Sequence, residues 1–351
     1  MTLRINRLAK ELYDSEIVID GLNVSNWESP AVFKSLKAGK VAAINATVAS
    51  WENFPETLDN ISAWGPRFRR YGETITQIRN TADIFEAKRN NKTGIILGFQ
   101  NSSPIENRLE RLELFHRLGV RIIQITYHEA NLLGSGCYER YDYGLTYFGV
   151  DAVKEMNRLG ILIDLSHVGI QTTMDTIELS EKPVSVTHAN LKSHLDTARN
   201  KVDDAMKLLA EKGGVIGATC INSMLSAGKE ATPQDYVDVI DDMVEKLGID
   251  HVGIGTDYTQ DQGEVFWRYI SSQQGTSFPL KAISKQSDGQ FIYPRDMVDL
   301  SKQRYYPIGL ETPDKLPLLT ELFLAKGYKK GEISKLLGGN WLRLFKNVWQ
   351  D

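Results

Sequence analysis

Short apolar runs alternate with segments of helical periodicity along most of this chain. Eight of these runs predict buried β-strands, because their inner positions are mostly apolar or small instead of alternating with polar ones. The predicted strands are Glu16–Asp20, Val41–Ser50, Gly94–Phe99, Val120–Tyr127, Ile161–Leu165, Pro183–His188, Gly213–Cys220 and His251–Asp257. Strands that alternate with helices indicate a parallel sheet. Eight such units that close on themselves form a (β/α)8 TIM barrel, the α/β fold that this pattern predicts.

Helices are predicted between the strands and after the last of them. Their spans are Ala31–Lys37, Glu56–Asn90, Ile105–Leu118, Tyr147–Arg158, Ile170–Ser180, Asp203–Glu211, Asp235–Leu247, Leu316–Lys326 and Lys330–Trp349. Thr146 and Thr232 are expected to cap two of them. The long aromatic insertion Gly263–Thr312, after the eighth strand, is expected to form a lid or an interface arm. No change in composition marks a boundary, so residues 1–351 are predicted to form a single barrel domain.

Two successive predicted strands end in a hydroxylated residue followed by histidine. The pairs are Ser166-His167 and Thr187-His188. Consecutive parallel strands place their carboxyl ends on one edge of the sheet, so both imidazoles are expected to reach one site. Imidazole is the commonest metal-ligating side chain. A lone histidine at a strand end is most often structural, so the functional interpretation depends on the repeat.

Composition and charge exclude several classes of partner. The 351 residues are 42% hydrophobic and 25% charged, with a formal net charge of -4, which is ordinary for a globular protein. With a pI near 6.0 and no basic stretch, nucleic acid is not an expected partner. No run has the length of a membrane span, and the first residues lack the apolar core of a signal peptide. A cytoplasmic protein that does not bind membranes is therefore expected.

Several motifs give the chain a resemblance to a known family. They are NRLGILIDLSHV (Asn157–Val168), PVSVTHAN (Pro183–Asn190), ARN (Ala198–Asn200), HVGIGTDYT (His251–Thr259) and GGNWLRLF (Gly338–Phe345). With these motifs the chain resembles the membrane (renal) dipeptidase family of zinc metallopeptidases, which are amidohydrolase-like TIM barrels. The text that follows the fourth predicted strand is closer to a bacterial branch of the family than to the animal enzymes.

The resemblance implies a site that hydrolyses dipeptides with two zinc ions, and a protein that forms homodimers. His167 and His188 match the ligands of one metal, and Asp257 matches the residue that handles protons. Arg199 matches the arginine that binds the substrate carboxylate. Tyr127 stands where the animal enzymes carry a substrate-binding histidine, and its neighbour His128 is expected to point away if the strand continues.

Three positions depart from the ligand set that the family implies. Leu22 and Val24 replace both ligands of the other metal, and neither side chain has a lone pair. Gln100 stands at the position of the bridging glutamate and is expected to orient substrate instead. The sequence therefore predicts at most one zinc per chain, and permits none.

Two functions stay open on the sequence alone. The first is a hydrolase of a dipeptide or another small amide with a carboxylate, with one zinc on His167, His188 and Asp257 and an open position for water. The second is a metal-free relative that has lost dipeptidase activity and that binds or transforms a small carboxylate metabolite. A structural role in an oligomer is a third, weaker alternative.

Overall fold

Nine parallel strands form the main sheet of the computed structural model, which describes residues 6–275, 284–285, 291–292 and 305–349. The strands are β1 (Ile19–Asn23), β2 (Ala43–Ala49), β3 (Ile75–Gln77), β4 (Thr93–Phe99), β5 (Val120–Gln124), β6 (Leu162–Asp164), β7 (Ser185–Val186), β8 (Val215–Ala218) and β9 (Val252–Ile254). All of them except β3 close into a ring, because β2 pairs with β1 on one side and with β4 on the other. The predicted (β/α)8 barrel is confirmed.

Helices cover the outside of this barrel and follow its last strand. They are α1 (Arg7–Ser15), α2 (Pro30–Ala38), α3 (Phe54–Ser62), α4 (Trp64–Arg70), α5 (Thr81–Arg89), α6 (Glu110–Arg117), α7 (Tyr147–Leu159), α8 (Ile170–Leu179), α9 (Asp203–Glu211), α10 (Pro233–Leu247), α11 (Glu264–Ile270), α12 (Pro317–Lys326), α13 (Lys330–Ser334) and α14 (Asn340–Val348). Within the described part of the chain, none of them has the length and apolar character needed to cross a bilayer.

Local side-chain chemistry sets several of the helix boundaries. The Thr146 hydroxyl accepts a hydrogen bond from the Gly149 N–H and begins α7, as predicted. Gly160 then ends α7 with a left-handed φ of 71°, which glycine adopts without strain. Thr232 and Asp235 form the capping box that begins α10, so the second predicted cap is also confirmed.

The prediction of helix throughout 56–90 is wrong at its centre, where β3 lies. Ile75–Gln77 pairs in parallel with the first residues of β4, outside the ring. Ile75 and Ile78 have the spacing of a helix face, yet they belong to an extended segment. Both side chains are buried, and Ile78 packs against the surface of Gly94 in β4. Asn80 then begins a new helix as the N-cap of α5. A strand of three residues is too short for its period to compete with the helical pattern on either side.

The helix α14 closes the end of the barrel opposite the carboxyl ends of the strands. Its residue Trp341 is buried and shares one apolar cluster with Ile19, Ala43 and Val215, each the first residue of a barrel strand. The Trp341 indole donates to the Ile254 carbonyl oxygen at 2.9 Å. With this end filled, the carboxyl ends of the strands are where a site can lie.

Only part of the insertion Gly263–Thr312 falls within the described residues. Its first part forms α11, where Trp267 stacks on Tyr305 with ring centroids 4.2 Å apart. Two short strands, β10 (Ser284–Lys285) and β11 (Phe291–Ile292), pair in an antiparallel manner. The remainder lies outside the described residues, so the lid or interface arm and the single-domain organisation stay predictions.

Candidate active site

The two predicted histidines meet at the carboxyl end of the barrel. His167 follows β6 and His188 follows β7, and their Nε2 atoms are 2.8 Å apart. Both side chains are buried, at 4% and 0% exposure. Burial lowers the pKa of both imidazoles well below the usual value, and the nearby Arg199 guanidinium lowers each further. The pair is therefore neutral at physiological pH.

A buried carboxylate orients this pair through a threonine. Asp164 Oδ2 accepts a hydrogen bond from the Thr187 hydroxyl at 2.7 Å, and the same hydroxyl lies 2.8 Å from His188 Nδ1. Because the hydroxyl proton is used by Asp164, Thr187 accepts from His188 Nδ1–H. The lone pair on His188 Nε2 then faces His167, whose Nε2–H donates to it. His167 Nδ1 is left as a buried acceptor without a partner in the described structure.

Aromatic rings form one wall beside the histidines. The rings of Tyr127 and His128 lie 4.2 and 4.6 Å from that of His167, measured between centroids. Trp51 packs edge-on against Tyr127 at 4.9 Å, and Tyr138 contacts His128 at 4.7 Å. Tyr127 thus lies in the site, as the sequence predicts for a substrate-binding residue. Its role in binding substrate stays a prediction.

His128 is a site residue that the sequence reasoning missed. The expectation that it points away assumed a strand through Tyr127, but β5 ends at Gln124. Alternation of side chains therefore does not apply to residues 125–128, and neighbouring side chains share one face. Burial lowers the pKa of His128 well below its usual value, so this third imidazole is also neutral. The apolar pattern continues past β5 to Tyr127, so nothing in the linear sequence marks the end of the strand.

Arg199 lies next to the backbone that carries the histidine pair, and its side chain is buried, with the residue 7% exposed. Its guanidinium donates to the carbonyl oxygens of Ser166 and His188, which belong to the two strand ends that carry the histidines. Guanidinium has five N–H donors in a planar fork, so these two bonds and a further contact with the Cys137 side chain still leave donors for a carboxylate. The assignment of Arg199 as the carboxylate-binding residue stays a prediction.

Asp257 follows β9 in a left-handed backbone conformation with a φ of 57°. Its N–H donates to the Leu22 carbonyl oxygen at 3.1 Å, and its own carbonyl oxygen accepts from the Tyr306 hydroxyl at 2.7 Å. Burial raises the pKa of its carboxyl to about 7, although the positive charge of Arg199 opposes the shift. A carboxyl with this pKa exchanges a proton near neutral pH, which suits a general acid or base.

The three replaced ligand positions are buried beside this site. Leu22 and Val24 are 1% and 7% exposed, and their side chains are apolar. Gln100 is 3% exposed, and its Nε2 donates to the Thr47 hydroxyl at 3.0 Å. The amide is therefore tied to β2, and its expected role in orienting substrate is not tested.

A two-metal centre does not fit these residues. In the described part of the chain, no three His, Cys, Asp or Glu side chains lie together in an arrangement that would hold a metal ion. Asp257 is thus not gathered with His167 and His188 into the predicted three-ligand set. Two imidazoles on one tetrahedral zinc would hold their nitrogens about 3.3 Å apart. The 2.8 Å separation of the Nε2 atoms is that of a hydrogen bond.

Comparisons with known proteins agree with this fold and these motifs. The family model described as "Membrane dipeptidase (Peptidase family M19)" matches residues 13–268. A curated relative, Dipeptidase verJ from Clonostachys rogersoniana, is 26% identical over 302 residues, which is 86% of this chain and 67% of that protein.

Solved structures are similar over nearly the whole chain. An amidohydrolase from Pseudomonas aeruginosa is 37% identical, with a TM-score of 0.88, and the match covers 98% of this chain and 99% of that one. A metallo peptidase from Rhodobacter sphaeroides, liganded with a phosphinate mimic of the dipeptide L-Ala-D-Ala, is 20% identical with a TM-score of 0.75, covering 95% of this chain and all (100%) of that one. The second likeness supports the fold.

Proposed function

The chain belongs to the membrane dipeptidase family, peptidase family M19, and is a hydrolase of that family; we propose that its substrate is a dipeptide or another small amide bearing a carboxylate. The observation that carries this proposal is the position of Arg199. Its guanidinium is buried between the strand ends that present His167 and His188. A buried guanidinium with free donors favours a planar anion that can pair with it in two places.

Asp257 supplies the proton chemistry in this proposal. Its pKa of about 7 lets the carboxyl accept a proton from the attacking water and return it to the leaving amine. His167 contributes a buried acceptor, Nδ1, that a substrate N–H or a water can satisfy. Tyr127 and Gln100 complete the proposed binding surface. The metallo peptidase from Rhodobacter sphaeroides that shares this fold was liganded with a dipeptide mimic, so dipeptides are the first substrates to assay.

We further propose that the chain holds at most one zinc, on His167 and His188. Catalytic zinc sites normally have three protein ligands, so two imidazoles alone bind the ion weakly. The described residues do not provide a complete ligand set for a metal ion. The predicted homodimer and cytoplasmic location remain proposals of the same kind.

A metal-free function is the second candidate, and the replacement of metal ligands by Leu22, Val24 and Gln100 favours it. In this case the pocket binds or transforms a small carboxylate metabolite, with Asp257 and a histidine as the acid and base. Arg199 has the same role in both candidates.

The substrate proposal is tested by pairing Arg199→Met with two forms of each substrate. Dipeptides and N-acyl amino acids are assayed with a free carboxylate and as the carboxamide. A charge-assisted hydrogen bond contributes about 1.5–3 kcal/mol, so the variant is expected to lose about 10- to 100-fold in kcat/KM for the free acids. The carboxamides, which lack the charge that Arg199 would pair with, should change little. An equal loss for both forms would show that Arg199 does not bind the carboxylate.

A further inference from the structure

A separate cavity of about 390 Å³ lies next to the histidine site. Its walls come from the loop after β5, the beginning of α8 and the segment before α9. They include Cys137, Asp142, Val168, Lys192 and Lys201. The volume is within the range of pockets that bind small molecules, about 300–1,000 Å³. His167, His188, Asp257 and Tyr127 do not line it, so it is distinct from the site described above.

Lys201 is the residue of this cavity that indicates a bound ligand, because its amine is buried and has free donors. The residue is 5% exposed, and its Nζ donates to the Val168 carbonyl oxygen at 2.6 Å. That is the sole hydrogen bond of the ammonium within the described residues, which also offer it no ion pair. An ammonium has three donors, so two N–H groups are left at the cavity wall. Burial lowers the pKa of this amine to about 7, and an anion in the cavity would favour its charged form.

The acidic residues of the wall are engaged elsewhere. Asp142 accepts from the Gln171 N–H at 2.6 Å and from the Thr172 hydroxyl at 2.7 Å, and so caps α8. Glu139 accepts from the Ala130 N–H at 3.0 Å. Neither carboxylate forms an ion pair with Lys201 in the described structure.

Three basic residues line the wall together with the two carboxylates of Glu139 and Asp142. Lys192 pairs at 3.1 Å with Asp196, whose side chain is 82% exposed, so that pair is weak. Arg140 is the third basic residue of the wall. Lys201 is therefore the buried basic group of the wall, with apolar surface from Val168 and Val202 beside it.

We propose that this cavity binds a small organic carboxylate, with its anionic group on the Lys201 ammonium and its carbon chain against the apolar wall. The proposal does not depend on the hydrolase activity. Lys201 is tied to the residue after His167, and the Cys137 N–H donates to the His167 carbonyl oxygen at 2.7 Å. A ligand here thus contacts the backbone that positions the histidine pair.

Isothermal titration of the full chain with butyrate tests this assignment. Lys201→Met should weaken butyrate binding at least about tenfold, the loss expected for one buried charge-assisted hydrogen bond. Lys207→Met removes a lysine on the surface of α9 and should leave the affinity unchanged. Arg199→Met distinguishes the two sites, and butyrate binding should persist in this variant. Loss of butyrate binding in Arg199→Met, together with unchanged binding in Lys201→Met, would place butyrate at Arg199 and overturn the proposal. Binding of inorganic phosphate without binding of butyrate would also overturn it.

Chemical labelling of Cys137 gives a second measurement of butyrate binding. It uses the unmodified protein and so does not depend on the folding of Lys201→Met. Cys137 lines the cavity, whereas Cys220 is completely buried. Butyrate should slow maleimide labelling of Cys137 in the unmodified protein at least several-fold, because the ligand covers the thiol. Unchanged labelling at saturating butyrate would contradict occupation of this cavity.

Discussion

Thr187 connects the buried carboxylate of Asp164 to the histidine pair. Its hydroxyl bonds to both Asp164 Oδ2 and His188 Nδ1, at 2.7 and 2.8 Å. Burial raises the pKa of Asp164, while the hydrogen bonds from Ser166 and Thr187 oppose that shift. The threonine thus fixes both the protonated nitrogen of His188 and the direction in which its other nitrogen points.

Thr187→Val tests this orienting role, because valine has almost the same side-chain shape as threonine but no hydroxyl. The variant leaves Asp164 and His188 each short of a partner, so the free energy of unfolding should fall by about 1–3 kcal/mol. Activity should fall about 10- to 100-fold, as for other groups that orient a histidine. Thr187→Ser retains the hydroxyl and should restore most of the activity. Failure of serine to rescue, or full activity in the valine variant, would contradict the role.

Asp257 should make stability depend on pH in a defined direction. Its pKa of about 7 lies above the ordinary value of 3.8, so the folded protein holds this proton more tightly than the unfolded chain. The resulting stabilisation is complete below pH 4 and is lost as the pH rises through 7. Asp257→Asn should therefore lose less stability between pH 5 and pH 8 than the unmodified protein, measured by urea unfolding. The slope should not vanish, because burial also raises the pKa of Asp20 to about 7. Parallel pH profiles for the two proteins would contradict the assignment.

At the residue scale, the sequence predicted the histidine pair and Arg199 but not their hydrogen bonds. The repeated hydroxyl-histidine motif at two strand ends was sufficient to bring His167 and His188 together. Their separation and tautomers depend on Asp164, whose side-chain direction a linear pattern does not reveal. Lys201 was missed because an isolated lysine gives no sign of burial.

At the element scale, α14 depends on glycines in the strands beneath it. A Cβ at Gly217 or Gly253 would lie 2.9 or 2.6 Å from the Trp341 ring, closer than side chains pack. Gly21 of β1 faces the same ring, at 2.8 Å. The indole therefore fills a space that only glycine leaves open.

Trp341→Ala should lower the free energy of unfolding by about 3–5 kcal/mol, because it leaves a large cavity and removes the bond to Ile254. Asn347→Ala, at an exposed position of the same helix, serves as the control and should change stability by less than about 0.5 kcal/mol. Chemical denaturation followed by circular dichroism measures both. A loss below 1 kcal/mol for the tryptophan variant would mean that α14 does not seal the barrel.

The sequence predicted all eight strands of the ring, since each is a distinct apolar run. It missed β3, and it extended the fourth predicted strand through Tyr127, past the observed end of β5 at Gln124. The second error led to the wrong expectation that His128 points away from the site. It arose because the apolar run continues from β5 into a loop that packs on the site. Hydrophobic patterns record burial, and a buried loop gives the same signal as a buried strand.

At the scale of the whole molecule, the chain keeps the fold and several motifs of its family but differs from it at three positions of the implied metal site. The family motifs between Asn157 and Phe345 predict the barrel, and the solved structures that resemble this chain share that fold. The metal ligands are the part of the family pattern that this chain changes, at Leu22, Val24 and Gln100. Metal binding depends on a few side-chain atoms, so fold similarity does not determine it.

Metal content is therefore the most direct test of the account. Elemental mass spectrometry of the protein, purified without chelator, should find no more than about one zinc per chain, since two imidazoles are a poor ligand set. Any zinc present should be lost in the His167→Ala, His188→Ala double variant. Two metal ions per chain, or zinc retained by that variant, would show that other residues supply ligands and would contradict the account.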